Sequence, residues 1–422
     1  MLPRLRFGPS WQRPRVAEQR LSICMVTTFY PPLHFGGDAV NVQRQVHALA
    51  RRGHEITVVH SADAHRALGG MDPGSMGHTD GVTLRALERR APQAATLASY
   101  LSGRPALYGR ELQSILGERD FDVVHFHNVS LIGGPDVLRY GAGVKLYTTH
   151  EHWLVCPMHV LFRDNREPCT EPHCLRCTLR FRRPPQLWRY TGLLGRSVPH
   201  VDLFLAPSRF TIEAHRARGF TGPMRRLPLF LPEHEVEDNG TGFDNGGRPY
   251  FLFVGRLERL KGVQVLLEVF RTYRAADLLI AGDGTYGDEL RRTAAGLAQV
   301  RFLGKVAAAE LDSLYRGATA LIVPSIGYET FGVVGIEAMA RRTPVIVNDL
   351  GALPELVADS GGGLVYTSTH ELIEAMGQMQ ENPLMRQELG DRGYAAWWER
   401  WSEEPHMDAY FAAIDEARGL AV

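Results

Sequence analysis

What this sequence lacks narrows its class first. No apolar run approaches the ~20 residues that cross a bilayer as a helix, and no secretory leader opens the chain, so a cytoplasmic protein is expected. A charge excess is missing as well. Lys+Arg and Asp+Glu both number 47, which argues against a nucleic-acid partner or a strongly acidic one. Cysteine is scarce, at five in 422 residues, and without a leader disulfides are not expected. What remains is ordinary globular composition, 44% hydrophobic and 22% charged, at a length that fits two domains with full cores.

Residues 1–20 stand apart. Arg4, Arg6, Arg13 and Arg15 are opposed only by Glu18, with Pro3, Pro9 and Pro14 between them, which reads as a disordered basic arm. A tail without function is its plain reading. Peripheral contact with anionic lipid on the inner face of a membrane is the sharper one.

The densest signal is residues 325–340, SIGYETFGVVGIEAMA, after the apolar run ALIVP at 320–324. That run reads as a buried parallel strand. Thr330 is expected to cap the helix that follows. Gly332 and Gly335 would leave its first turn bare enough for an anion to approach the free amides. Glu329 precedes the helix and Glu337 is expected about two turns inside it. Capping and solvent exposure are the plain roles for two glutamates. Val333, Val334, Ile336, Ala338 and Met339 surround Glu337, however, and burying a carboxylate unpaired is costly. Sugar hydroxyls on the carboxylates and a phosphate at the helix start would satisfy both features.

Other strand ends add polar groups. Residues 21–27, 53–59, 121–127 and 144–150 read as strands, and a Pro/Gly-rich loop leads through Gly36 and Gly37 into a helix over 40–52. His127 and His150 fall at strand ends, where open α/β sheets bind ligands. Residues 63–81 show no periodicity and read as a loop. In the second half, the strand opening at Tyr250 is followed by Arg256 and Lys261, two cations able to reach one anion and to stabilise charge that grows in a transition state. Residues 277–284 make a strand and a glycine turn, Gly282 and Gly284, and 300–306 a short strand ending at Val306. Residues 370–418 read as helices, in which Trp397, Trp398, Trp401, Tyr410 and Phe411 could anchor a terminal helix on the first domain.

Glu329 and Glu337, with seven residues between them, resemble the paired-glutamate motif of the retaining GT-B glycosyltransferases of family 4, the glycosyltransferase group 1 type. The likeness runs over about residues 21–418 and includes Gly36-Gly37, the Gly-Arg-Leu…Lys-Gly pattern around Arg256 and Lys261, and the stretch ending in His150. It implies a GT-B fold, two doubly wound Rossmann-like α/β domains whose parallel sheets face a central cleft. Residues 21–232 would form the acceptor domain, 233–248 the linker and 249–400 the nucleotide-sugar domain, with a helix in 401–422 packing back on the first domain. By the same resemblance Glu329 meets the donor hexose, Glu337 the ribose, and the amides of Thr330, Phe331 and Gly332 the diphosphate. Gly36 and Gly37 lie near the donor phosphates, Gly282 and Gly284 near the nucleoside, and the Val306 backbone near the base. His150 sits beside the donor sugar, although Glu151 stands where the family has Asp.

No Asp-x-Asp accompanies these sugar-nucleotide segments, so Arg256 and Lys261 are expected to do what a divalent metal does elsewhere, with no cofactor for catalysis. The implied reaction is hexosyl transfer from a nucleoside diphosphate-sugar to a saccharide, lipid-linked or small-molecule acceptor, with retention. His150, Arg256, Lys261 and Glu329 would be the catalytic set. A nucleotide-sugar 2-epimerase of the same fold and a non-catalytic nucleotide-sugar-binding protein are the alternatives.

Residues 151–190 break the strand–helix rhythm with a Cys/Arg/Pro-rich insertion holding Cys156, Cys169, Cys174 and Cys177. The spacing suits a structural zinc site. It also resembles plant-type iron–sulfur spacing, and four unligated thiols are the third reading.

Overall fold

The computed structural model describes residues 19–71, 79–236 and 240–419. Residues 1–18, and with them nearly all of the expected basic arm, lie outside the described residues. Two parallel sheets organise the rest. The first contains β1 (Ser22–Val26), β2 (Glu55–Ser61), β3 (Val82–Leu87), β4 (Val123–Phe126) and β5 (Val144–Thr148). A short antiparallel ribbon follows, β6 (Phe162–Arg163) with β7 (Glu167–Pro168), before β8 (Leu203–Ala206) and β9 (Met224–Arg226) complete the sheet in the order β3-β2-β1-β4-β5-β8-β9. The second sheet is built from β10 (Tyr250–Val254), β11 (Asp277–Ala281), β12 (Val300–Gly304), β13 (Ala320–Val323), β14 (Val345–Asn348) and β15 (Gly363–Tyr366), ordered β12-β11-β10-β13-β14-β15.

In each sheet the order reverses beside the first strand, so β1 lies between β2 and β4, and β10 between β11 and β13. Such switch points open a crevice at the carboxyl ends of the strands. The central strands are covered on both faces, which is why they read as unbroken apolar runs. Ile23, Cys24, Met25 and Val26 are fully buried, each apolar side chain contributing about 1.5–3 kcal/mol. The helix Gly37–Arg51 lays Val42, Val46 and Leu49 on this sheet.

Several expectations need correction. Residues 63–81 are not all loop: Ser61 accepts from the Ala64 amide at 3.0 Å and starts a helix, Ala62–Ala67. Edge strands β3, β9 and β15 were not anticipated from the sequence. Trp397 and Trp401 are buried in the core of the second domain and bond to Leu231 near the end of the first, Trp397 Nε1 donating to its carbonyl at 3.1 Å and the Trp401 carbonyl accepting from its amide at 2.9 Å, while Trp398 is exposed. Tyr410, Phe411 and Ile414 of the last helix, Glu403–Ala417, do enter the first domain's core. Residues 240–248 lie along the second domain, where the Phe243 amide donates to the Ser313 carbonyl at 2.8 Å and Arg248 pairs with Asp277 at 2.5 Å.

The domains touch on one side of the cleft. Glu355 of the second domain accepts from the Arg209 and Phe210 amides at 3.0 and 2.5 Å, capping a first-domain helix. The Thr330 hydroxyl donates to the His150 carbonyl at 3.0 Å, and the Thr211 hydroxyl to the Thr330 carbonyl at 3.3 Å. Among the described residues no helix is long and apolar enough to cross a membrane.

Candidate active site

Two loops at the carboxyl end of the second sheet are stitched together. The Ile326 and Gly327 amides both donate to the Leu260 carbonyl, at 2.8 and 3.0 Å. Gly262, at φ 77°, passes so close that a Cβ would stand 1.8 Å from the Pro324 carbonyl oxygen, so only glycine fits. This approach delivers Lys261 to Glu329. Its ammonium donates to both carboxylate oxygens at 2.7 and 3.0 Å, and the Ser325 hydroxyl adds a bond at 2.6 Å. Burial pushes the Glu329 carboxyl up, but the Lys261 charge and hydrogen bonds, with Ser325 and the charge of Arg256, outweigh it and hold the group below the usual carboxylate range. Arg256 leaves the end of β10 more exposed and pairs with Glu258 at 2.7 Å.

The helix beyond begins at Val333, not at Thr330. Gly332, at φ 102°, is its cap, and Thr330 spends its hydroxyl on the other domain. Glu337 is therefore one turn inside the helix Val333–Met339 rather than two. Phe331 buries its ring in the second-domain core near Trp401. Glu337 accepts from the Tyr315 hydroxyl at 3.0 Å and meets Arg44 of the first domain at 3.4 Å. Arg44 also holds Glu235 through bonds of 2.6 to 3.1 Å. Ser325, Tyr315 and Arg44 were missed from sequence. Only Arg44 left a trace, a charge within the run Val42 to Leu49 that carries the apolar helix positions.

On the first-domain side, His125 and His127 are fully buried at the end of β4, and His150 is half-buried just past β5. His127 Nδ1 and His150 Nε2 are 2.9 Å apart, while His127 Nε2 meets the Met25 sulfur at 3.4 Å. A thioether only accepts, so His127 Nε2 carries its proton and His150 must donate from Nε2. That assignment leaves His150 Nδ1 as a buried acceptor without a partner. Burial lowers the pKa of all three imidazoles, His150 being partly compensated by Asp38 and Glu151. Asp38 follows Gly36 and Gly37 at the start of its helix. Neither glycine has a positive φ, and a Cβ on Gly37 would meet nothing within 4 Å, so the approach to this helix start is open.

Gly282 and Gly284 have a packing reason for lacking side chains. A Cβ on Gly282 would stand 1.9 Å from the Gly255 carbonyl oxygen, and one on Gly284 2.5 Å from that of Leu257. They let the β11 loop lie against the one that carries Arg256. Val306 follows β12, half-buried against the second-domain core. The chain's single Asp-x-Asp, Asp120-Phe121-Asp122, sits at the opposite, amino end of β4, where Asp122 accepts from the Ser22 amide at 2.8 Å.

Cys156, Cys169, Cys174 and Cys177 are free and line one cavity of the insertion. As placed, no three His, Cys, Asp or Glu side chains among the described residues stand in ligand geometry about a common point. Of the neighbouring histidines, His159 pairs with Glu151 at 2.6 Å, His152 packs toward His215, and His173 lines the cavity.

Two family models match the chain, that for glycosyl transferases group 1 over residues 237–396 and that for glycosyltransferase family 4 over residues 35–231. An uncharacterized glycosyltransferase of Methanocaldococcus jannaschii is 26% identical over 376 residues, 84% of this chain and 87% of the relative. Sucrose-phosphate synthase from Thermosynechococcus elongatus has the same fold, with a TM-score of 0.73 at 19% identity over 95% of this chain and 100% of the other. The Anabaena protein HepE, solved in complex with UDP and glucose, gives a TM-score of 0.65 at 16% identity over 94% and 100%.

Proposed function

The chain belongs to the group 1 glycosyltransferases of GT-B fold, and from that premise we propose that it moves a hexosyl-type residue from a nucleoside diphosphate-sugar to an acceptor hydroxyl with retention at the anomeric carbon. The observation that carries this reading is the Lys261–Glu329 pair, with Arg256 beside it at the strand ends facing the other domain. A sugar diphosphate presents hydroxyls at one end and an anion at the other, and this constellation has acceptors and cations in the same order.

In this reading Glu329 is ionised and receives the hexose hydroxyls. Lys261 and Arg256 lie where the departing diphosphate gathers charge, and a donor so placed is worth about 2–4 kcal/mol in the transition state. They carry that work without a divalent cation. The bond from C1 to the phosphate oxygen breaks as the acceptor oxygen closes on C1 from the same face, and the acceptor's proton passes to the leaving phosphate. His150 Nδ1 offers an acceptor to a hydroxyl of the bound sugar. Glu337, steadied by Tyr315 and Arg44, takes the ribose. The fold relative HepE, solved in complex with UDP and glucose, supports a nucleotide-sugar donor.

The test is donor hydrolysis and transfer over a panel of nucleotide sugars, with the anomeric configuration of the product read by NMR. Inversion, or a free epimerised sugar formed without any acceptor, would overturn the reading.

A further inference from the structure

The transfer reaction leaves the cysteine-rich insertion unused. We propose that Cys156, Cys169, Cys174 and Cys177 bind one zinc ion as four thiolates, and that this clip holds the insertion against the loop carrying Glu329. The metal site stands independently of the proposed reaction.

Convergence is the first observation. Cys156 lies in the turns after β5, Cys169 directly follows β7, and Cys174 and Cys177 share the first turn of the helix Cys174–Arg180. All four nevertheless line one cavity of about 20 Å³, together with Phe162, Arg163 and His173. That volume suits a single ion. The thiols now point elsewhere, Cys169 to the Glu171 carbonyl at 3.6 Å and Cys177 to the Asp164 amide at 3.5 Å. Rotation about the single side-chain torsion of cysteine swings its sulfur by roughly 3 Å. That is enough to bring thiolates of one cavity to the ~2.3 Å bonds of a tetrahedral site.

Backbone conformation is the second. His159, Leu161, Asp164 and Asn165 all take left-handed φ values of 46° to 71°, whereas elsewhere among the described residues only Arg182 and Arg342 do so without being glycine. Asp164 and Asn165 enter this region readily and form the turn that joins β6 to β7; Leu161 does not, and persists there only where its surroundings dictate it. Leu161 is buried with Met158, Cys156 and Cys177, and partly buried Phe181, Phe210 and Tyr328 border this cluster. A metal held by Cys156 and Cys169, on either side of Leu161 in the chain, would fix that residue's conformation.

Charge is the third. Zinc with four thiolates carries a net charge of about −2. Arg163 lines the cavity. Arg189 lies between the Trp153 and Trp188 rings and donates to the Trp153 and Leu154 carbonyls and to Gln186, with no carboxylate partner among the described residues. A thiolate-bound zinc supplies the missing counter-charge.

The clip has a place to act. Leu161 and Met158 share a cluster with Phe210 and Tyr328, and a Cβ built on Gly327 would stand 3.5 Å from the Phe162 ring. The insertion therefore bears on the two residues that precede Glu329.

The test uses the full chain, purified without a polyhistidine tag under reducing, oxygen-free conditions. We expect one zinc per chain by elemental analysis, no visible colour, and cobalt(II) exchange giving the charge-transfer absorption of a four-thiolate tetrahedral site. Cys174→Ser and Cys177→Ser should each weaken zinc retention at least about tenfold, while Cys24→Ala retains it. If the serine variants do not fold, the native chain stripped by a chelator should become open to proteolysis within residues 151–190 and regain protection on adding zinc alone. Substoichiometric zinc with four freely reacting thiols overturns the proposal, and so does iron with acid-labile sulfide. Zinc that leaves proteolysis unchanged on removal overturns the clip.

Discussion

Replacing Lys261 by alanine tests the core of the proposed site. The change removes the only cation bonded to Glu329 among the described residues and leaves its carboxylate with Ser325. Opposite charges about 4 Å apart attract by about 4 kcal/mol at an effective dielectric near 20, most of which desolvation cancels while both partners are present. Removing one partner exposes the other's penalty, about 3–5 kcal/mol in a fully buried pair. Lys261 and Glu329 keep 24% and 16% of their side-chain surface. The expected loss of stability is therefore about 2–3 kcal/mol. The pH dependence has a defined sign. Because the Glu329 carboxyl lies below its ordinary value in the fold, the pair's contribution is complete above about pH 4.3 and fades as the pH falls through the folded value. In Lys261→Ala burial is opposed only by the Ser325 bond and the charge of Arg256, the carboxyl rises, and destabilisation by acid should begin closer to neutrality. Thermal melting between pH 4 and 8 is the assay. The double variant Lys261→Ala/Glu329→Gln, which removes the orphaned charge, should melt above Lys261→Ala at neutral pH. A double variant no more stable than the single one, with the same acid dependence in both, would refute the argument.

Arg256→Ala should lower turnover about 30- to 1,000-fold, the equivalent of about 2–4 kcal/mol. Undiminished turnover, or activity abolished by chelator and restored by magnesium alone, would show that the cations do not replace a metal. Glu337→Ala should weaken binding of the free nucleoside diphosphate in calorimetry, whereas Glu329→Ala should lower turnover and leave that binding nearly intact; the reverse pattern means the two roles are exchanged. Burial keeps His125, His127 and His150 neutral above their ordinary pKa of ~6.5. The pH–rate profile should accordingly show no histidine step above that value, and a step there that vanishes in His150→Asn contradicts the assignment. Gly282→Ala forces a Cβ into the Gly255 carbonyl at a φ of 141°, so it should cost more than about 3 kcal/mol, seen as a lowered melting point or loss of soluble protein.

Much of the fold was legible because its signals are local. Central strands such as β10 and β13 are buried on both faces and appear as apolar runs ended by glycine or proline. Edge strands β3 and β15 escaped notice because one face of each meets solvent, so their residues alternate or mix in polarity. Helix starts were the weakest point. Thr330 is a favoured capping residue, yet its hydroxyl is claimed by a carbonyl 180 positions away, and glycine at positive φ caps the helix instead. Capping preference is a matter of about 1 kcal/mol, which one long-range hydrogen bond can match.

The candidate site divides the same way. Residue types and spacing singled out Glu329, Glu337 and the four cysteines of the insertion, because each sets charge or thiol in an unusual local setting, and the family resemblance of the Gly-Arg-Leu…Lys-Gly pattern added Arg256 and Lys261. Which of them meet was decided by tertiary structure. Lys261 reaches Glu329 because Gly262 can pass within contact of Pro324, and Arg44 reaches Glu337 because two domains close on one another. Sequence displays a residue's chemistry and its near neighbours. Partners 68 and 293 positions apart are chosen by how loops and domains pack, where the cost of burying a charge outweighs any local preference.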